Sequence, residues 1–203
     1  MPKCHKTRLI LCEMLLNLLI SYNNMRYLYL KTIGAIKQGI LEDLIGSLDF
    51  LPFKVIKKND YPLFAFEPRR NQYYAKKIIE HLILNIPADC EKLIAITDID
   101  LCTPVLTFVF GEAQLNGSVA IVSTNRLKQE FYSLPANNGL LVERLLKVCL
   151  HELGHCYGLV HCGNSKCVMY LSNNIISLDN KGKKYCVKCE EFFDKRIRKE
   201  NNA

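Results

Sequence analysis

A chain of 203 residues that is 49% hydrophobic and 23% charged is long enough to bury a core and too apolar to be disordered as a whole. Its formal net charge of +7 invites a nucleic-acid reading, because clustered Lys and Arg release counterions from phosphates. The basic residues are scattered, however, and the densest runs (Lys57-Lys58, residues 181–188 and 195–199) read as solvated faces or tail, so no nucleic-acid partner is expected. No apolar run approaches the roughly 18 uninterrupted residues of a membrane span, so none is expected.

In chain order, Lys3, Lys6 and Arg8 precede an apolar stretch over residues 9–20 in the manner of a secretory signal. Glu13 and Asn17 interrupt that stretch, and Ser21-Tyr22-Asn23 makes a poor cleavage site. Residues 1–24 are therefore expected to be an amphipathic or poorly ordered segment. Residues 25–203 follow as one domain, with an upper lobe at 25–158 and a lower lobe at 159–203. The β-rich residues 27–33 predict a first strand, with Gly34 and Gly39 as punctuation. Ile40, Leu41, Leu44, Ile45 and Leu48 recur at helical spacing, Pro52 stops that pattern, and residues 53–57 predict a second strand. Tyr74, Ile78, Ile79 and Leu82 mark one face of a helix over residues 73–84. The run 93–96 suits a strand buried on both faces. Residues 106–110 and 118–123, joined through Gly111 and Gly117, form a hairpin candidate. Asn137 and Asn138 offer N-caps for a helix carrying Leu141, Leu145 and Val148 toward His151. Beyond Gly158 the sequence turns short, polar, cysteine-bearing and basic.

Residues 151–161 read His-Glu-Leu-Gly-His-Cys-Tyr-Gly-Leu-Val-His, the long zinc signature H-E-x-x-H-x-x-G-x-x-H. Residues four apart on a helix differ by about 40° in direction and about 6 Å in rise, so His151 and His155 can face one ion. Glu152 points about 100° away from His151, toward a water on the metal rather than the metal itself. On a continued helix His161 would lie about 240° around from His155, so the helix must end first. Gly158 supplies the positive φ that such an end requires. Three neutral imidazoles leave a fourth tetrahedral position open, as a catalytic zinc site needs. Zinc would then lower the pKa of water toward about 7, with Glu152 as general base. His5 and His81 read as surface or capping residues.

Ten cysteines would fit a disulfide scaffold in a small secreted protein, but this chain is large enough to fold without staples. A reducing, cytoplasmic setting fits better. Cys162, Cys167, Cys186 and Cys189 have the spacing of a closed four-thiolate zinc site. Its role would be structural, supplying folding free energy to a lobe with little apolar surface. A redox role for Cys186-Val187-Lys188-Cys189 competes, without a thioredoxin-like context to support it, and a lone zinc ribbon on nucleic acid is a further rival. Cys4, Cys12, Cys90, Cys102, Cys149 and Cys156 read as small core residues.

The signature followed by Cys, then Cys167-Val168-Met169, then Cys186-Val187-Lys188-Cys189 resembles the archaemetzincins, a branch of the metzincin metallopeptidases. Segments 64–73, 97–101 and 108–113 are also similar to family segments. The resemblance implies an α+β, zincin/metzincin-like fold: a twisted mixed β-sheet with helices and a small zinc-stabilised C-terminal lobe. It implies two Zn²⁺ per chain, one catalytic and one in the four-cysteine site. Met169 becomes the residue of the Met-turn, an apolar floor under the histidines, where the spacing alone suggests a core filler. An edge strand should pair with extended peptide, and residues 118–124 are the candidate. The expected activity is hydrolysis of peptide bonds in a peptide or protein substrate by a monomer. A zinc-stabilised binding module that keeps the fold but cleaves nothing is the alternative, and intact Glu152 argues against it.

Overall fold

The computed structural model describes residues 26–48 and 52–200. The N-terminal segment 1–24, with Cys4, His5 and Cys12, lies outside the described residues. Strand β1 (Tyr27–Ile33) leads through helix α1 (Gln38–Ile45) to β2 (Phe53–Lys57). The short strands β3 (Phe66–Glu67) and β4 (Gln72–Tyr74) precede α2 (Ala75–Ile83). Next come β5 (Cys90–Thr97), β6 (Leu101–Cys102), β7 (Gly111–Ala113) and β8 (Val119–Ser123), then α3 (Asn138–Cys156), α4 (Ile175–Asn180) and α5 (Val187–Glu200).

The main sheet runs β2-β1-β5-β8-β7. Its first four strands are parallel, and β7 is antiparallel to β8. Period-two alternation sends Leu28, Leu30, Ile94, Ile96 and Val122 into a core shared with α1 and α3, and Tyr29, Leu93, Ala95 and Ile121 into a second core against α2. Helices on both faces explain why β5 and β8 are buried at every position. Each fully buried Leu or Ile there contributes about 1.5–3 kcal/mol.

The sequence reading of residues 118–124 as the edge strand is overturned: β8 is sandwiched between β5 and β7. A continuous apolar run flanked on both sides belongs to a sheet interior, and the short β7 forms the edge. The hairpin also closes differently. Gly111–Ala113, not residues 106–110, pairs with β8. Residues 103–107 form a loop whose carbonyls are gathered by Arg70, which donates to Thr103 O at 2.8 Å, Leu106 O at 2.6 Å and Thr107 O at 2.7 Å.

Where the sequence predicts short polar segments, the C-terminal part carries a 14-residue helix, α5. Cys189, Phe193 and Ile197, four residues apart, give it a narrow apolar stripe. Phe193 packs edge-on against Tyr157 with ring centroids 4.9 Å apart. Val168, Met169, Leu178 and Phe193 join the same core as Leu153 and Tyr157. Among the described residues, no helix is long and apolar enough to cross a membrane.

Candidate metal centre and active-site cleft

Helix α3 begins where Asn137 accepts a hydrogen bond from the Leu140 amide at 2.9 Å. It ends in a Schellman turn: Gly158 N donates to His155 O at 2.9 Å and Leu159 N to Gly154 O at 2.8 Å. Gly158 has φ 90°, so the turn needs a residue without Cβ. The chain reverses there, and the ligand atoms of His151, His155 and His161 all come within 4.8 Å of one another.

Ring orientation is set by the backbone. Nδ1 of His151 lies 2.9 Å from Val168 O, and Nδ1 of His155 lies 2.8 Å from Leu159 O. Each carbonyl fixes the tautomer with the proton on Nδ1 and frees Nε2 as a lone-pair donor. The two Nε2 atoms lie 3.1 Å apart, close to the spacing of about 3.3 Å for neighbouring nitrogens on a tetrahedral zinc. Burial pushes the His151 pKa down to about 3, and burial likewise lowers His155 and His161. Neutral imidazoles are the form a metal requires, so the donor set fits zinc.

Glu152, one residue along α3, is buried beneath β7, and burial pushes its pKa up to about 8. Gly111 makes this position possible, since a Cβ there would lie 2.8 Å from Glu152 Cγ and 2.9 Å from Oε1. Gly154 has a matching role on the other side of the helix. A Cβ on Gly154 would collide with Met169 Sδ, and Met169 is fully buried against that turn of α3. The glycine inside the helical signature, unfavourable by about 1 kcal/mol, was the sequence signal for this contact.

Cys162, Cys167, Cys186 and Cys189 form a second cluster. Sγ of Cys162 and Cys186 lie 3.8 Å apart, too far for a disulfide and close to the sulfur spacing of about 3.8 Å on a tetrahedral zinc. At the start of α5, the Cys189 amide stabilises the Cys186 thiolate and draws its pKa down to about 7. Burial instead pushes the Cys167 and Cys189 thiols up. Cys90, Cys102, Cys149 and Cys156 are buried and form no disulfide among the described residues. His81 stacks at a tilt on Phe64 and is exposed.

The profile of peptidase family M54 matches residues 47–195. The chain belongs to that family. It is similar to the archaemetzincin of Methanocaldococcus jannaschii, 37% identical over 167 residues that span 79% of this chain and 88% of the relative. Among solved structures, the archaemetzincin of Methanopyrus kandleri superposes with TM-score 0.74 at 29% identity, covering 85% of this chain and 96% of that one. A zinc-dependent peptidase of Methanocorpusculum labreanum superposes with TM-score 0.70 at 34% identity, covering 82% and 99%. By family the chain is an archaemetzincin-type zinc metallopeptidase, a hydrolase with the α+β fold described above.

A cavity of about 1050 Å³ opens over the triad, bounded by β7, by the loop that Arg70 gathers, and by the chain around residues 171–181. Lys181 and Ser172 line it, and sequence reasoning singled out neither. Lys181 lay inside a basic run assigned to solvent, yet it is 5% exposed.

Proposed function

We propose that His151, His155 and His161 hold a catalytic Zn²⁺, that Glu152 is the general base, and that Cys162, Cys167, Cys186 and Cys189 hold a second, structural Zn²⁺. The observation that carries this reading is the convergence of three imidazoles with two Nδ1 atoms committed to carbonyls. A zinc ion at the triad supplies Lewis-acid chemistry, acidifying water toward a pKa of about 7 and polarising the scissile carbonyl.

Glu152 takes the proton of the attacking water on a carboxylate oxygen and returns it to the leaving amine. Gly111 and the core around Leu153 hold that carboxylate in place. Extended substrate pairs with the outer edge of β7. Because Glu152 lies directly beneath Gly111, a peptide paired there passes over the base and the triad. Met169 and Gly158 support the ligands, one by packing under α3 and the other by turning the chain. Cysteines without disulfides among the described residues suit a reducing cytoplasm, where the chain acts as a monomer on peptides or proteins.

The test is a peptide-library digest with elemental analysis of the same samples. Glu152→Gln should keep zinc and lose turnover, whereas His155→Ala should lose the triad metal. Cleavage by Glu152→Gln at the wild-type rate would remove Glu152 from the mechanism. A zinc-loaded wild type that cleaves no peptide would make the chain a catalytically silent binding module.

A further inference from the structure

Beyond His151 the cavity wall is built from Val148, Leu171, Leu178, Ser172 and Lys181. The Lys181 ammonium reaches the Tyr170 carbonyl at 3.2 Å. His151 Nδ1, 3.5 Å away, offers it nothing, because the proton on that nitrogen points to Val168 O. Among the described residues no carboxylate forms an ion pair with Lys181. Two of its three protons therefore lack an acceptor among the described residues. Ser172 Oγ, buried in the same wall, has no hydrogen-bond partner among the described residues either.

The neighbouring Lys147 shows what a structural lysine looks like in this fold. Its ammonium is held by Leu178 O at 3.2 Å, Asp179 O at 2.9 Å and Glu143 at 3.2 Å. A buried ammonium without an ion-pair partner is destabilising; Glu152 attracts Lys181 without bonding to it, and Lys181 and Ser172 both line one cavity.

We propose that Lys181, assisted by Ser172, is a specificity-determining residue that binds a carboxylate of the substrate next to the scissile bond. The inference rests on the peptidase reading and refines it. A carboxylate would receive charge-assisted hydrogen bonds from the ammonium and the hydroxyl, and Val148, Leu171 and Leu178 would enclose its methylene stem. The chemistry admits two sources, an Asp or Glu side chain or the C-terminus of a short peptide.

The test uses zinc-loaded enzyme and peptides that differ only by Glu or Gln at each position flanking the cleaved bond, each with a free or an amidated C-terminus. A preference that follows Glu assigns the side chain; one that follows the free terminus assigns the terminus. In either case kcat/KM should favour the carboxylate roughly tenfold to a hundredfold, the range of a charged hydrogen bond. Lys181→Met should collapse that ratio toward unity, Ser172→Ala should reduce it, and Lys181→Arg should restore part of it. Binding measured calorimetrically on zinc-loaded Glu152→Gln should show the same discrimination without turnover. A wild-type ratio near unity, or one unchanged in Lys181→Met, overturns the proposal. If the wild type cleaves nothing, the peptidase reading falls, while equal binding of acid and amide peptides separately overturns this one.

Discussion

Gly111→Ala isolates the link between the edge strand and the proposed base. The new methyl would lie 2.8 Å from Glu152 Cγ and 3.0 Å from Cδ, about 0.6 Å inside ordinary contact at 3.4 Å. Gly111 does not have positive φ, so alanine suits the strand itself and the conflict falls on the carboxylate. Glu152 is 6% exposed and has little room to retreat. Since a misplacement of about 1 Å can reduce turnover about a hundredfold, the shift predicted here should lower kcat at least about tenfold. Overpacking should destabilise the fold by about 1–3 kcal/mol, and zinc content should stay at the wild-type level. Steady-state kinetics, chemical denaturation and elemental analysis on one preparation read all three. Gly39→Ala is the control: its methyl meets open space in α1 and should stabilise by about 0.5–1 kcal/mol. A folded, zinc-loaded Gly111→Ala enzyme with wild-type kcat would refute the placement of Glu152 under β7.

Gly158→Ala must accept φ 90° and should lose about 1–2 kcal/mol in denaturant titrations. Its zinc affinity should also fall, because His161 enters the triad through that turn; unchanged stability and affinity would contradict the account of the helix end. Cys189→Ser should bring the zinc content from about two to about one per chain and lower Tm by at least about 5 °C. Retention of both metals with unaltered melting would show that the sulfur cluster does not hold a structural ion.

Elements whose sequence carries its own physical instruction were legible. β1 and β2 appear at the residues that β-branched and aromatic patterning indicates, and α3 starts at the Asn137 cap. The histidine cluster was legible because helical geometry fixes where a residue four positions on can point, and the cysteine cluster because its pair spacing is that of a four-thiolate site. The edge strand was not legible. β7 is three residues long and contains Gly111, and its location depends on which neighbour β8 pairs with, a long-range choice. Helix α5 escaped because its apolar stripe of Cys189, Phe193 and Ile197 is one residue wide amid charge. Lys181 could not be separated from the basic residues around it, since burial of a cation has no local signature.

His161 and Cys162 are consecutive, so one peptide bond joins the two clusters. His161 is the triad member whose ring has no carbonyl anchor among the described residues, and it is exposed. Its position comes instead from the chain around it, where the Cys162 amide donates to Met169 O at 3.0 Å. With both clusters metal-loaded as proposed, the sulfur cluster would moor the imidazole that lacks a carbonyl anchor, and slack introduced at the thiols would travel along the backbone to the triad without any nearby side chain being altered.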